Sequence, residues 1–200
     1  MDLSLPVKAI FLDKDGTLIH DVPYNTNPAK IKLINGAVET LSELALYDYK
    51  FVVISNQQGI ANGKITVTQF NVLIDRLIHL LSEHNIKLLD FYYCPHDHHG
   101  SIAKYAISCH CRKPLPGLIF KAAEDHNIDL GKSWVIGDIL HDIEAGNRAG
   151  CKTILLDNGN ETEWLNGAYR IPDFTVTGWE EISTIVKTRV DESPKLIEPR

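Results

Sequence analysis

The 200-residue chain lacks several features that define whole classes of protein. It has no excess of basic residues, because 20 Lys and Arg stand against 26 Asp and Glu and give a formal net charge of -6. A general nucleic-acid-binding surface would need a basic stripe. No apolar run is long enough to span a bilayer, and the first residues show no signal-peptide pattern. We therefore expect a cytoplasmic protein that binds neither nucleic acid nor membranes.

Cysteine is scarce as well. The chain has four cysteines, whereas disulfide scaffolds are usually shorter chains with much denser cysteine. Cys94, Cys109 and Cys111 cluster in the sequence, and Cys151 stands apart at the start of an apolar run. We expect Cys151 to pack as a small hydrophobic residue. The cluster favours a metal site, with redox-sensing thiols as the alternative.

The composition that is present fits one globular domain. Hydrophobic residues make up 44% and charged residues 23% of the chain, which is ordinary for a folded protein. The length is sufficient to bury a sizeable core. We expect a single domain over residues 1–190 that works as a monomer, and a mobile polar tail over 191–200.

Short apolar strands alternate with amphipathic helices along most of the chain. This alternation predicts an α/β fold with a mainly parallel central sheet and helices on both faces. Thr66 with Gln69 predicts a capping box for one helix, and Gly150 a stop for another. The predicted strands are 7–13, 51–55, 89–94, 134–137 and 153–156, with a strand and a helix within 174–190. The predicted helices are 37–46, 67–84, 116–126 and 139–149.

Several predicted strands end on residues that can carry chemistry. Asp13, Ser55, Cys94 and Asp138 each terminate or follow a strand. In parallel sheets of this kind, ligands bind beyond the carboxyl ends of the strands. We therefore expect these side chains to meet at one edge of the sheet.

The most informative local motif is the run 11–18, with the sequence FLDKDGTL. Asp13 and Asp15 lie one residue apart at the end of a buried strand, and two buried like charges are costly without a cation or protons between them. A Mg²⁺ ion would relieve the repulsion and leave one carboxylate free to act as a nucleophile. Gly16 allows a turn where a side chain would be strained or would block a ligand. An ordinary polar turn is the alternative.

Two other pairs of residues suit a phosphate group. Ser55 and Asn56 follow a buried strand and offer hydroxyl and backbone N–H donors. Arg112 and Lys113 offer a guanidinium fork and a compact ammonium. The alternatives are a turn that closes a strand and an exposed basic pair, and the glutamines at 57–58 could equally face solvent.

A second acidic pair lies near the end of the 134–137 strand. Asp138 follows the strand, and Asp142 lies one helical turn later. Asp138 would complete the cation site begun by Asp13, and Asp142 would orient the cation's ligands. The alternative is an ordinary helix N-terminus, where acidic residues are favourable.

The clustered cysteines predict a zinc loop over residues 94–111. Cys94, His96, Cys109 and Cys111 form a closed tetrahedral Zn²⁺ set, which indicates a structural rather than a catalytic ion. We prefer His96 because the proline between it and Cys94 makes them a rigid near pair. The competing ligands are the nearby histidines, His98, His99 and His110.

Together these motifs resemble the haloacid-dehalogenase (HAD) superfamily of phosphatases. The run 13–17 is similar to the first motif of that superfamily, Ser55 to the second, Lys113 to the third, and Asp138 with Asp142 to the fourth. The loop CPH…CHCRKP is similar to the branch that contains histidinol phosphatases and heptose-bisphosphate phosphatases. The resemblance covers residues 7–156.

The resemblance implies a Rossmann-like HAD fold without a cap domain, in which loops such as 19–35 and the zinc loop cover the site. It also implies a Mg²⁺-dependent phosphomonoester hydrolase that works through a phosphoaspartate. The expected substrate is a small phosphorylated sugar. The preferred candidate is heptose 1,7-bisphosphate, from which the 7-phosphate would be removed. Histidinol phosphate or another small phosphomonoester is the alternative. A non-catalytic zinc-stabilised binding module is a further alternative, which the intact set of motifs disfavours.

The resemblance assigns roles to the motif residues. Asp13 would attack phosphorus, and Asp15 would act as general acid and then as general base. Mg²⁺ would be held by the Asp13 carboxylate, the Asp15 carbonyl and Asp138. Substrate contacts would come from Ser55, Asn56, Arg112 and Lys113. Asn62 and Ile139 depart from the heptose branch, which usually has Arg and Lys there, and so leave the sugar and its pathway open.

Overall fold

The alternation of strands and helices produces a six-stranded, all-parallel sheet in the computed structural model, which describes residues 5–191. Its order is β3-β2-β1-β4-β5-β6. The strands are β1 (Ala9–Leu12), β2 (Lys50–Asn56), β3 (Leu88–Cys94), β4 (Trp134–Gly137), β5 (Lys152–Leu156) and β6 (Phe174–Val176). The predicted α/β fold is confirmed.

Helices follow the strands as the sequence pattern predicts. They are α1 (Ala37–Ala45), α2 (Gln58–Ala61), α3 (Val67–Glu83), α4 (Gly117–His126), α5 (Leu140–Ala149) and α6 (Trp179–Asp191). Short 3₁₀ turns lie at Pro28–Lys30 and Leu130–Lys132. The capping box of α3 forms between Thr66 and Gln69, and α5 ends at Gly150 with a φ of 81°. The one-turn helix α2 was not predicted, because four residues are too short to show a helical period.

The sheet is buried on both faces, so successive strand residues enter two different cores. In β1, Ile10 and Leu12 pack with α1, α3 and α6. Ala9 and Phe11 point the other way, toward α4 and α5. This period-two alternation explains why the strands read as continuous apolar runs. Cys151 is buried in the second core, as predicted.

The centre of the sheet is a topological switch point. Strands β1 and β4 are neighbours, but the chain leaves β1 for α1 on one face and leaves β4 for α5 on the other. The two connections diverge and open a crevice at the carboxyl ends of these strands, where such folds bind ligands. Asp13 and Asp138 lie at this crevice.

Two expectations concern the ends of the chain and membranes. The tail predicted over 191–200 lies outside the described residues from residue 192 onward. Within residues 5–191, no helix combines the length and the apolar composition that a membrane crossing requires.

Candidate active site

An open cleft of about 600 Å³ occupies the carboxyl edge of the sheet. Its lining includes most of the residues that the motifs single out. From the first motif come Asp13 and Asp15, from the second Asn56, from the third Arg112 and Lys113, and from the fourth Asp138. The loop residues 19–25 also line the cleft, as expected for a fold in which loops cover the site.

Lys113 lies buried between two carboxylates. Its Nζ is 2.5 Å from Oδ1 of Asp13 and 2.6 Å from Oδ1 of Asp142, and it donates to the Ile54 carbonyl at 3.0 Å. Burial alone favours the neutral amine, but the charges of Asp13 and Asp142 outweigh it and raise the pKa of Lys113. The side chain is therefore an ammonium that binds the nucleophile candidate directly.

Burial has the opposite effect on Asp13. Desolvation raises the pKa of its carboxyl well above the usual value, against the attraction of Lys113, and Asp142 and Asp138 raise it further. Burial and the neighbouring acids therefore favour the protonated carboxyl, and the ammonium beside it favours the carboxylate.

Asp142 contacts the buried lysine of the site. Its side chain is fully buried and pairs with Lys113, so it orients the lysine. Gly137 makes this approach possible, because a Cβ at that position would lie 2.2 Å from the Cβ of Asp142. The role of Asp142 in orienting the ligands of a cation stays a prediction.

Asp138 is held instead by two neutral donors. Thr17 Oγ1 donates to its Oδ1 at 3.0 Å, and Asn160 Nδ2 donates to its Oδ2 at 2.6 Å. Burial and the nearby Asp142 raise the pKa of Asp138 to about 6. Gly16 has a φ of +85°, and a Cβ there would lie 2.0 Å from Asp138 Oδ2, so the glycine provides the space for this arrangement.

The acidic residues at the switch point fit a divalent cation. Carboxylate oxygens of Asp13, Asp138 and Asp142 lie within 4.8 Å of one another and are buried. Lys113 supplies one positive charge against three carboxylates, which leaves a buried excess of negative charge. Oxygen donors of this kind are those that Mg²⁺ prefers. The Asp15 carboxylate lies outside this group. The role of the Asp15 backbone carbonyl as a cation ligand stays a prediction.

Gln57 connects the first and second motifs. Its Nε2 donates to Asp15 Oδ2 and to Ser55 Oγ, both at 2.9 Å. Lys14 pairs with the other oxygen of Asp15. Ser55 itself is buried beneath this amide. The solvent-facing alternative for Gln57 is therefore wrong.

The side chain of Asn56 is engaged with the third motif. Its Nδ2 donates to the Lys113 carbonyl at 2.9 Å, and the Lys113 N–H donates back to Asn56 Oδ1 at 3.0 Å. This reciprocal pair fixes the lysine against the end of β2. The Asn56 side chain thus positions Lys113, and Asn56 is also part of the cleft lining.

The predicted zinc ligands come together at the base of their loop. Sγ of Cys94 lies 3.5 Å from Sγ of Cys109 and 3.1 Å from Sγ of Cys111, and His96 Nδ1 lies 3.6 Å from Cys94 Sγ. All four donor atoms lie within 4.8 Å of one another. A tetrahedral zinc about 2.3 Å from each sulfur would hold the sulfurs about 3.7 Å apart. The rings of the competing His98 and His99 contact each other, with centroids 3.7 Å apart and planes tilted by 43°.

The chemistry of the thiols agrees with a metal site. The hydrogen bond to Cys94 lowers the pKa of Cys111 to about 5, with help from Cys109 and His96. The same hydrogen bond, together with burial, raises the pKa of Cys94. One thiolate at neutral pH is a ready ligand, and zinc would draw the proton from the others. The set could bind zinc.

Arg112 links the zinc loop to the cleft. Its guanidinium donates to the His96 carbonyl at 3.2 Å and to the side chain of Gln58 in α2. Asn62, at the end of the same helix, has its Nδ2 3.4 Å from Asp97 Oδ2 in the loop. Ile139 lines the cleft beside Asp138. Of the two departures from the heptose branch, Asn62 thus lies at the contact between α2 and the zinc loop, and Ile139 lies in the lining of the cleft.

Thr17, His141 and Asn160 lie at the site, but the sequence patterns did not predict a role for them. Thr17 belongs to the first motif but received no role, although a hydroxyl two residues after Asp15 could have indicated one. His141 lines the cleft next to Asp142. Asn160 lies in a polar loop after β5, where no local pattern distinguishes it from a surface residue.

Comparison with known proteins gives consistent matches. Residues 110–181 match the HAD-hydrolase-like family model. The chain is 39% identical over 154 residues to a D-glycero-β-D-manno-heptose-1,7-bisphosphate 7-phosphatase of Salmonella typhi, covering 77% of this chain and 82% of that one. The protein of the same name from Pasteurella multocida is 39% identical over 153 residues, covering 76% and 83%.

Solved structures share the fold. A HAD-like phosphatase from Mesorhizobium loti superposes with a TM-score of 0.80 at 28% identity, covering 92% of this chain and 87% of that one. The D,D-heptose 1,7-bisphosphate phosphatase of B. bronchiseptica, complexed with magnesium and phosphate, has a TM-score of 0.72 at 24% identity, covering 94% and 100%.

Proposed function

Because the chain belongs to the family of heptose-1,7-bisphosphate 7-phosphatases within the HAD-like hydrolases, we propose that it removes the 7-phosphate of D-glycero-D-manno-heptose 1,7-bisphosphate. The observation that carries this proposal is the buried group of Asp13, Lys113, Asp142 and Asp138 at the switch point of the sheet. It combines a nucleophile, an ammonium for the phosphoryl oxygens and the donors for a cation in one cleft. A cytoplasmic location and a monomeric state stay predictions.

The first half of the reaction forms an aspartyl phosphate. Asp13 attacks phosphorus while Lys113, already bound to its Oδ1, stabilises the negative charge of the transferring group. Asp15 gives its proton to the departing sugar oxygen. Gln57 and Lys14 hold the Asp15 carboxyl in place. The phosphorus–oxygen bond to the sugar breaks as the bond to Asp13 forms.

In the second half, water replaces the aspartyl oxygen on phosphorus. Asp15, now a carboxylate, takes the proton from that water. Asp13 leaves as a free carboxylate and phosphate departs. Asp13, Asp138 and the Asp15 carbonyl would hold Mg²⁺, which when bound neutralises negative charge on the phosphoryl oxygens.

The proposal is tested with the purified protein and Mg²⁺. We expect heptose 1,7-bisphosphate to be hydrolysed with a higher kcat/KM than histidinol phosphate, and phosphorus NMR to identify the product as the 1-phosphate. Preference for histidinol phosphate would contradict the proposed substrate and leave the phosphatase mechanism intact. Absence of hydrolysis of any phosphomonoester, including a generic aryl phosphate, would contradict both.

A further inference from the structure

The loop that follows β5 reaches back to the switch point. Asn158 Nδ2 donates to the Gly16 carbonyl at 2.7 Å, and Asn158 Oδ1 accepts from the Asn160 N–H at 3.2 Å. Glu161 Oε2 accepts from the Leu140 N–H at 2.6 Å. Residues 158–161 therefore contact the turn of the first motif and the first residue of α5. Asn160 lies between these two anchors.

Asn160 contacts the second oxygen of Asp138. Its Nδ2 donates to Oδ2 at 2.6 Å, while Thr17 donates to Oδ1 at 3.0 Å. Each carboxylate oxygen can accept more than one hydrogen bond or ligand, so both oxygens keep capacity for a cation. Because both donors are neutral, they fix the carboxylate without cancelling its charge. A lysine or arginine in the same place would compete with a cation.

The space for this contact comes from a glycine that is itself part of the first motif. A Cβ on Gly16 would lie 2.5 Å from Asn160 Nδ2 and 2.0 Å from Asp138 Oδ2. Both partners of the hydrogen bond thus occupy volume that any other residue at position 16 would fill. The first motif, the fourth motif and the loop after β5 are fitted to one another at this point.

We propose that Asn160 is a positioning residue for the cation site, because its amide fixes the orientation of the Asp138 carboxylate before Mg²⁺ binds. This inference rests on the proposed function. A carboxylate that is already oriented loses less conformational freedom when it binds. Partners that orient metal ligands typically contribute 10- to 100-fold to metal affinity. Asn160 is exposed, so its replacement leaves no cavity in the core.

The test is calorimetric titration of Mg²⁺ alone into the full-length protein, which needs no substrate. Asn160→Leu keeps the branched shape of the side chain and removes its donor, and Asn160→Ser has a side chain too short to reach. We expect each to weaken Mg²⁺ binding by about tenfold or more. Saturating Mg²⁺ should bring kcat back to within about threefold of wild type, because the chemistry of Asp13 and Asp15 is unchanged.

Asn166→Leu is the matched control, since Asn166 is an exposed asparagine of the same loop; it should leave Mg²⁺ binding unchanged. Mg²⁺ binding by both Asn160 variants within about twofold of wild type would overturn the inference and leave the proposed function standing. A wild-type protein that does not bind Mg²⁺ would overturn the cation site as well. A fall in kcat that Mg²⁺ does not restore would show that Asn160 acts elsewhere than on the metal.

Discussion

The zinc-ligand cluster and the carboxylate cluster lie at the same edge of the sheet but are built in opposite ways. The four zinc-ligand candidates lie between residues 94 and 111, so one loop brings them together. Asp13 and Asp138 meet because β1 and β4 are neighbours in the sheet, and Lys113 reaches Asp13 across β2, the neighbour of β1 on its other side. The first cluster follows from local spacing and the second from topology.

The difference has an energetic consequence. The zinc loop has little regular structure of its own, and we expect its order to depend on the metal. The carboxylates are fixed by a buried sheet and stay in place without a cation, where their mutual repulsion costs stability. Zinc would therefore order the loop that binds it, whereas Mg²⁺ would reduce the repulsion between carboxylates that are already in place.

Loss of a candidate zinc ligand should have the largest effect on stability. Cys109→Ser should lose the zinc and lower the free energy of unfolding by several kcal/mol, up to the roughly 10 kcal/mol that a structural zinc can supply. Urea unfolding measures the free energy of unfolding, and metal analysis measures the zinc content. Cys151→Ser, at a buried cysteine outside the cluster, is the control and should keep about one zinc per chain. Unchanged stability and zinc content in Cys109→Ser would contradict a structural role for zinc in this loop.

Replacement of Asp13, the proposed nucleophile, should separate activity from stability. Asp13→Asn should reduce kcat by more than about 10³-fold, because an amide cannot form the phosphoryl intermediate. The thermal unfolding temperature should not fall, since one of the repelling charges has gone. Asp21→Asn, at another acid lining the cleft, should keep most of the activity. Substantial hydrolysis by Asp13→Asn would contradict its assignment.

Substitution of Lys113 tests whether the stability of the carboxylate cluster depends on its internal ion pairs. Lys113→Met should destabilise the protein by about 3–5 kcal/mol, because it leaves two buried carboxylates without their partner. Adding Asp142→Asn should restore part of the loss. Lys121→Met, which removes an exposed pair with Asp125, should change the free energy of unfolding by less than about 1 kcal/mol. Equal effects of the two lysine substitutions would contradict this reading.

The pH dependence of stability should reveal the cost of the acidic site. Burial raises the pKa of Asp138 to about 6, above its unfolded value of about 4. The folded metal-free protein therefore holds this proton more tightly, and its stability falls as the pH rises from about 4 through 6.

Asp138→Asn carries no such charge and isolates this contribution. Without metal at pH 7.5, it should be more stable than wild type by about 1–3 kcal/mol, and the difference should vanish near pH 4. Added Mg²⁺ should reverse the order, because it stabilises only the protein that binds it. Denaturant unfolding at several pH values gives the comparison. A wild type that is more stable than Asp138→Asn without metal would contradict it.

The same contrast explains what could be predicted from the sequence. Apolar periodicity was sufficient for the order of strands and helices, and the spacing of Cys94 to Cys111 was sufficient to gather the zinc-ligand candidates. Parallel strand ends were sufficient to bring Asp13 and Asp138 to one edge. These features depend on local pattern or on general rules of sheet topology.

Contacts within the edge could not be predicted in this way. The pairing of Asp142 with Lys113 depends on how the first turn of α5 lies against the segment that follows the zinc loop. The hydrogen bond from Gln57 to Asp15 depends on how β2 ends. Asn160 comes from a loop whose path across the sheet edge leaves no periodic signal. A sequence pattern does not distinguish a loop asparagine at the site from one at the surface, because only the path of the backbone decides where each side chain lies.

The central claim is that Asp13, and not Asp15, carries the phosphoryl group during turnover. Trypsin cleavage after Lys14 places the two carboxylates in different peptides, 9–14 and 15–30. Wild-type protein mixed with Mg²⁺ and heptose 1,7-bisphosphate is acid-quenched within one turnover and treated with borohydride, which converts an aspartyl phosphate to homoserine. We predict homoserine at position 13 by mass spectrometry. Homoserine at position 15, or at neither position while phosphate is released, would contradict the mechanism.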